Sequence, residues 1–394
     1  MSRNVQQQPI MLAAGGTGGH LFPAQALAET LIKRGYRVIM VTDRRGLNFG
    51  DNLAAIEVRH VQAAGRKPGL KGLLRMVVKM GLGYAQAHAM LMKTDPAIIV
   101  GFGGYPSMPT VLAALHQGRS VMLHEQNAVL GRVNRMFASK AKAIATAFPR
   151  LELLPKDAAA LTQTGNPVRA NIASLHDEPY TAPGEDDPLE VLVIGGSQGA
   201  TVFSEILPAA VAKLPDHLRR RLHITQQARP ADIEEARFAY AQINQRVELQ
   251  TFFTDMPQRL AAAHLVIARA GASTVSELTA AGRPAILVPY PHAMDDHQHK
   301  NATQMVEQGA AWLMPQDGFT ADALSARLEA LLTNPQKLAE TSANARAAAR
   351  IDAADRLADL VLATAGIGAA ENSQETAAKP SKDQPDQALM EMAS

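Results

Sequence analysis

Short apolar runs alternate along this chain with longer stretches whose apolar positions recur at helical spacing. Ile10–Ala14, Val38–Thr42, Ile98–Val100, Val121–His124 and Ala143–Ala145 read as strands, separated by helical stretches such as Pro23–Arg34 and Pro109–His116. The habit repeats with Val191–Ile194, His223–Thr225, Val247–Leu249, Leu265–Ala268 and Ala285–Val288. Runs that are apolar throughout, with no polar face, belong to parallel sheets covered on both sides. The pattern predicts an α/β protein of two Rossmann-like parallel-sheet lobes facing a central cleft. The expected division is 1–168 for the first lobe and 169–365 for the second, with a hinge at Gly165–Arg169 and a linker at Pro183–Pro188. Residues 335–365 read as helical, and the C-terminal helix is expected to pack back on the first lobe. Residues 366–394, poor in large apolar side chains, read as a disordered tail.

The strands end on unusual loops. After the first comes Gly15-Gly16-Thr17-Gly18-Gly19-His20, and 180 residues later Gly195-Gly196-Ser197-Gln198-Gly199-Ala200. A glycine turn between a strand and a helix lets the backbone approach a ligand and aims N–H groups at an anion. Asp43 closes the second strand where a dinucleotide-binding acid would stand, which admits an NAD-dependent dehydrogenase. The first loop, however, lacks the final glycine of that fingerprint, and no Gly-Lys-Ser/Thr follows either loop, so neither is a P-loop.

Other polar clusters also follow strands. Gly101-Phe102-Gly103-Gly104-Tyr105 and His124-Glu125-Gln126-Asn127 end two of them, at the edge where α/β sheets bind ligands. A neutral His20 at a helix start, where the helix dipole disfavours imidazolium, could take a proton or donate to a phosphate. Arg269-Ala270-Gly271-Ala272-Ser273-Thr274-Val275-Ser276-Glu277 predicts a helix beginning near Ser273–Thr274, whose N-terminus could hold a diphosphate. By spacing, Thr274 and Glu277 make a capping box. His292, Asp295, Asp296, His297 and His299 do not have zinc-ligand spacing, so hydrogen bonding to sugar hydroxyls is the better reading there.

Composition narrows the choice. The absence of Cys excludes disulfides, thiolate metal sites and cysteine nucleophiles. The polar start, Met1–Pro9, predicts no signal peptide, and no apolar run of about 18 residues predicts a membrane span. Residues 1–168 carry 20 Lys and Arg against 8 Asp and Glu, a balance of +12, whereas residues 169–394 carry 19 against 29, a balance of −10. Lys67, Lys71, Arg75 and Lys79 recur every fourth residue among Leu70, Leu73, Leu74, Met76, Val77 and Met80. No acid stands between Glu57 and Asp95, nor between Glu125 and Glu152, where Arg132, Arg135, Lys140, Lys142 and Arg150 lie. A basic amphipathic helix beside a second basic patch predicts contact with an anionic membrane surface. Without aromatics interleaved among the charges, nucleic acid is not expected as a partner.

Taken together and in order, Gly15–His20, Gly101–Tyr105, His124–Asn127, Gly165–Arg169, Gly195–Ala200, Gly271–Glu277 and Asp296–Asn301 resemble the MurG family of UDP-GlcNAc:lipid I N-acetylglucosaminyltransferases over roughly residues 8–360. The resemblance implies a GT-B fold and an inverting transfer of GlcNAc from UDP-GlcNAc to the C4 hydroxyl of MurNAc in lipid I, giving lipid II. It implies UDP-GlcNAc contacts at Thr17, Gly18, Gly19, Asn127, Arg169, Ser197, Phe253, Ala272, Ser273, Thr274, Val275, Ser276, Glu277 and Gln298, with Glu277 as the ribose ligand. It also implies an acceptor side at Tyr105 and His124, and membrane contact through Lys71, Leu74, Arg75, Val77, Lys79 and Met80. The implied setting is the cytoplasmic face of the bacterial inner membrane, where cell-wall and division proteins are possible partners. Two positions depart from the family pattern: Phe253 replaces an aliphatic residue, and Thr225-Gln226-Gln227-Ala228 replaces a His-Gln-Thr/Ser-Gly run. No Asp-x-Asp stands where it could chelate a divalent metal, so no metal or cofactor is expected. The expected general base is His20, with Glu125 second. A UDP-GlcNAc 2-epimerase on the same scaffold is the main alternative, and a two-lobed binding protein without turnover is another.

Overall fold

The computed structural model describes residues 8–15, 18–43, 56–65, 68–196 and 199–367. Two sheets account for its strands. The first holds β1 (Ile10–Ala13), β2 (Val38–Thr42), β3 (Glu57–His60), β4 (Ile98–Gly101), β5 (Val121–Glu125), β6 (Ala143–Thr146) and β7 (Leu161–Gln163). The second holds β8 (Leu189–Ile194), β9 (Leu222–Gln227), β10 (Val247–Gln250), β11 (Leu265–Ala268), β12 (Ala285–Leu287) and β13 (Trp312–Leu313). The strand orders are β3-β2-β1-β4-β5-β6-β7 and β10-β9-β8-β11-β12-β13. The described pairings are parallel, with Ile10 opposite both Val38 and Ile98 and with Leu265 opposite Val191.

Alternate residues of each central strand feed two separate apolar layers. Ile10, Leu12, Val38 and Met40 join one layer with Leu21, Leu27 and Leu31 of the Gly18–Lys33 helix. Met11, Ile39, Val41 and Ile99 join the other with Ala87 and Leu91 of the Leu70–Thr94 helix. The second sheet is divided in the same way. This double burial is why the central strands carry unbroken apolar runs. The edge strands β3, β7 and β13, with half-buried or exposed residues, do not.

Two features tie the lobes together. Ala128 and Phe148 of the first lobe share a core layer with Val266, Ala272 and Val275 of the second. The Ala353–Ala365 helix returns to the first lobe, where Leu357, Ala358 and Val361 complete the layer around Leu27 and Leu31. Arg34 pairs there with Asp355 at 2.6 Å and Asp359 at 2.5 Å. The expected tail lies outside the described residues beyond Ile367.

Candidate active site

In both sheets the order reverses between the first and fourth strands of the lobe, β1/β4 and β8/β11, and a crevice opens there at the strands' carboxyl ends. Both glycine loops sit on these reversals. The helix after the first loop, Gly18–Lys33, approaches the Ala272–Ala280 helix that follows β11 in the second lobe. Thr17 and Ser197 lie outside the described residues.

His20 stands in the first turn of its helix, packed against two glycine backbones. A Cβ on Gly15 would come within 3.1 Å of the imidazole and 3.3 Å of the Gly103 carbonyl. A Cβ on Gly104, at φ +74°, would come as close to the same ring carbon. The glycines of the first and third loops are therefore what lets an imidazole lie this close to both backbones. Gly18 is buried, with Phe22 where a side chain would go, whereas Gly19 faces open space. Tyr105 is half-buried beside Gly65 at the same mouth.

Beneath His20 lies a connected polar network. His20 Nδ1 is 2.8 Å from Gln126 Oε1, and Gln126 Nε2 is 2.9 Å from His124 Nδ1 and 3.0 Å from the His124 carbonyl. His124 Nε2 reaches the Gly165 carbonyl at 3.2 Å. His124 has no exposed surface and packs its ring 5.2 Å from that of Phe102. This corrects the expectation that His124 touches the acceptor, because a side chain sealed under the loop has nothing to present. Burial pushes its pKa down to about 4, and the nearby His20 adds to that effect.

Glu125 is also sealed in, at 2% exposure. Its carboxylate accepts from the Asn127 N–H (3.0 Å), Asn127 Nδ2 (3.3 Å), the Gly131 N–H (2.9 Å) and Asn134 Nδ2 (2.9 Å). Four donors fill its acceptor sites and pin residues 125–134 into one loop.

The second lobe supplies a helix N-terminus. The Ala272–Ala280 helix starts at Ala272 with Gly271 as its N-cap, so Thr274 lies inside the first turn. Glu277 falls too deep in the helix to close a capping box. The capping-box expectation is therefore wrong, and the Glu277 carboxylate instead meets Arg169 at 3.0 Å. Burial raises Glu277 above the ordinary carboxyl range while Arg169 opposes the shift. Arg169 also lies over the Phe22 ring of the first lobe, 5.3 Å from its centroid. The Ser273 hydroxyl is buried without a hydrogen-bond partner at this helix start. Ala272 and Val275 are buried, so only their backbone groups could serve a ligand, and Ser276 Oγ bonds the Ala272 carbonyl. Gln298 Oε1 accepts from the Tyr290 N–H at 2.9 Å, leaving its amide N–H groups available.

Phe253 needs a correction of its own. Its ring is 3% exposed in the core with Arg259 stacked 4.3 Å from its centroid, so it presents no aromatic face to a base. The departure at Gln226 is structural too: its buried amide donates to Ser204 Oγ and accepts from the Tyr240 hydroxyl.

Arg132, Arg135 and Arg150 of the second basic patch turn toward the other lobe. Arg132 and Arg135 both pair with Asp295, at 3.1 and 2.8 Å, and Arg150 pairs with Glu307. Lys300 pairs with Glu152 at 3.1 Å. These four bases meet acids of the other lobe. Asn301 adds neutral contacts, accepting from the Ala128 N–H (2.8 Å) and donating to Asn127 Oδ1 (3.2 Å) and the Ala270 carbonyl (3.0 Å).

Arg269, Asn134, Asn301 and Gln126 are site residues to which the sequence alone assigned no role. Arg269 is buried among the Val288 and Pro289 carbonyls, Gln316 and the Phe203 and Tyr290 rings, and burial lowers its pKa. A charged residue directly after an apolar strand was the available signal for Arg269. Gln126 bonds a residue 106 positions away, which no local pattern reveals.

Comparison with known proteins places this geometry in a class. Profiles of the glycosyltransferase family 28 N-terminal and C-terminal domains match residues 10–146 and 190–357. The crystal structure of Acinetobacter baumannii MurG superposes with a TM-score of 0.71 at 31% identity, covering 90% of this chain and 99% of that one. The calicheamicin glycosyltransferase CalG4, at 17% identity, superposes with a TM-score of 0.61 over 92% of this chain and 100% of its own, and shares the fold alone. A Rhodospirillum centenum protein is 55% identical over 361 residues, 91% of this chain and 95% of its own. Its name is UDP-N-acetylglucosamine--N-acetylmuramyl-(pentapeptide) pyrophosphoryl-undecaprenol N-acetylglucosamine transferase. The chain belongs to the MurG group of glycosyltransferase family 28.

Proposed function

We infer that this chain transfers GlcNAc from UDP-GlcNAc to lipid I, forming lipid II. The observation that carries the reading is one cleft with a histidine at the first lobe's sheet reversal and an anion-binding helix start with a half-buried ion pair at the second's. The acceptor hydroxyl gives its proton to His20 as its oxygen bonds the donor's C1 on the face opposite UDP. The C1–O bond to the diphosphate breaks, and UDP leaves with the electron pair. The helix start at Ala272–Ser273 stabilises that charge through its free N–H groups, and Glu277 accepts from ribose hydroxyls. Gly18, Gly19, Asn127 and Gln298 line the remaining donor side, and Tyr105 lies at the acceptor mouth. Glu125, saturated by its loop, fits a positioning role better than that of a base. UDP-GlcNAc 2-epimerisation is not favoured, because relatives sharing half of the sequence carry the transferase name.

A membrane-surface location is part of the proposal. Leu70 (82% exposed), Leu74 (63%), Val77 and Val78 stand out of the protein on the free end of the Leu70–Thr94 helix, beside Lys71, Arg75 and Lys79. Met80 is half-buried at the base of this apolar ridge. No helix among the described residues is long and apolar enough to cross a membrane. The ridge supports peripheral docking on an anionic leaflet, and the cytoplasmic face follows from the family resemblance. Association with cell-wall or division proteins follows from the family resemblance alone.

The test is radiolabelled GlcNAc transfer to a lipid I analogue, with UDP release followed in parallel. Transfer and release are expected only with the acceptor present. Release without acceptor, or conversion of the donor to its 2-epimer, would overturn the assignment. Replacing His20 with Ala is expected to lower kcat by on the order of 10²-fold or more while leaving the donor KM nearly unchanged.

A further inference from the structure

The bonds beneath His20 specify where each proton sits. The carbonyl of His124 accepts only, so the nitrogen of the Gln126 amide must face it and the oxygen must face His20. The second N–H of that amide points at His124 Nδ1, which therefore accepts, and the proton of His124 rests on Nε2, where it donates to the Gly165 carbonyl. Gln126 Oε1 in turn can only accept, so His20 carries its proton on Nδ1. Its Nε2 is left with a lone pair beside Gly103 and Gly104.

We propose that Gln126 is a positioning residue for the transfer, holding His20 in the Nδ1–H tautomer with Nε2 open as the base, and that His124 fixes the Gln126 amide from below. The proposal rests on the reading of His20 as general base. The physical argument is one of tautomers. A free neutral imidazole favours the Nε2–H form, which would turn a donor toward the acceptor hydroxyl and remove the lone pair that must take its proton. A third group that orients the base is a recurring device in catalysis, usually a carboxylate. Here it is a neutral amide. When His20 takes the acceptor proton it becomes imidazolium, and its Nδ1–H bond to Oε1 becomes charge-assisted. The proton stays on His20 because the amide does not accept it. Burial keeps the His124 ring neutral, so it continues to accept from Gln126 through the cycle.

The far end of the network is the Gly165 carbonyl, where the chain leaves the first lobe. Gly165 has φ +88°, and a Cβ there would lie 2.6 Å from that of Arg350, so the anchor is wedged against the returning C-terminal segment.

Imidazole ¹⁵N resonances of the wild-type protein, with the His20 signals identified by their loss in His20→Ala, report the tautomer directly. The expected result is a protonated Nδ1 on His20, and a protonated Nε2 in the resting protein would overturn the proposal whether or not any variant folds. Gln126→Met keeps the volume and removes the bonds. It is expected to lower kcat by on the order of 10²-fold, to leave the donor KM within about two-fold, and to shift His20 toward the Nε2–H form. The double variant His20→Ala/Gln126→Met should be no slower than His20→Ala alone, since both changes remove one function. A slow His20→Ala with a Gln126→Met of wild-type kcat would overturn the proposal alone. A His20→Ala of wild-type kcat would overturn the base reading beneath it.

Discussion

Glu125 shows how burial decides a residue's role. A base must offer a lone pair to the acceptor, and the Glu125 lone pairs are occupied by Asn127, Gly131 and Asn134. Glu125→Gln places an amide N–H against those donors, which costs about 1–3 kcal/mol. The thermal unfolding midpoint should fall by several degrees and activity should fall with it, because the loop also carries Asn127. Loss of turnover at unchanged stability would instead favour a chemical role. His124 gives a pH dependence. Its folded pKa of about 4 lies below the ordinary histidine value of 6.5, so the unfolded chain binds more protons between those values. Stability gained from the neutral ring is fully present above pH 6.5 and is lost as pH falls toward 4, by at most about 1.4 kcal/mol per pH unit. Urea unfolding across that range should show the slope in the wild type and a shallower one in His124→Gln.

At the scale of elements, the Leu70–Thr94 helix divides into two halves with different environments. Gly83, Ala87 and Leu91 bury its second half, while in its first half Leu70, Leu73, Leu74, Val77 and Val78 stand exposed. Lys71→Glu/Arg75→Glu/Lys79→Glu should abolish co-sedimentation with anionic vesicles, each basic residue contributing about 1 kcal/mol near such a surface. Transfer to a soluble acceptor analogue should be unchanged. Retained vesicle binding would refute the docking face. This helix was legible in the sequence because missing acids and a four-residue stripe of bases survive in a one-dimensional reading. The strands were legible for a related reason, as β2 and β11 are apolar runs whose ends are set by polar neighbours. The edge strands β3 and β13 were not, since Glu57-Val58-Arg59-His60 is half solvated and Trp312–Leu313 is two residues long. The site was legible as a set of loops but not as a network. His20, Gln126 and Gly165 meet only because β1 and β5 flank β4 and the hinge folds beneath them.

For the whole molecule, the opposite charges of the two lobes find a use within the chain. Asp295 is held at φ +53° while it bridges Arg132 and Arg135, and the Gln298 side chain follows one turn later. The bridge thus holds a donor-side segment against the first lobe. Partly exposed pairs of this kind contribute about 0.2–1 kcal/mol each. Asp295→Ala should raise the UDP-GlcNAc KM by about two- to five-fold with little change in the unfolding midpoint. Added salt should raise the wild-type KM toward that of the variant. A KM indifferent to both would dismiss the clasp.

The Ala353–Ala365 helix has a consequence for how the protein is made. Leu357, Ala358 and Val361 belong to the first lobe's core, yet they are translated after the entire second lobe. The lobe that leaves the ribosome first is thus the last to be completed. Until synthesis ends, it displays an open apolar groove around Leu27 and Leu31, a surface for a chaperone to cover on the nascent chain.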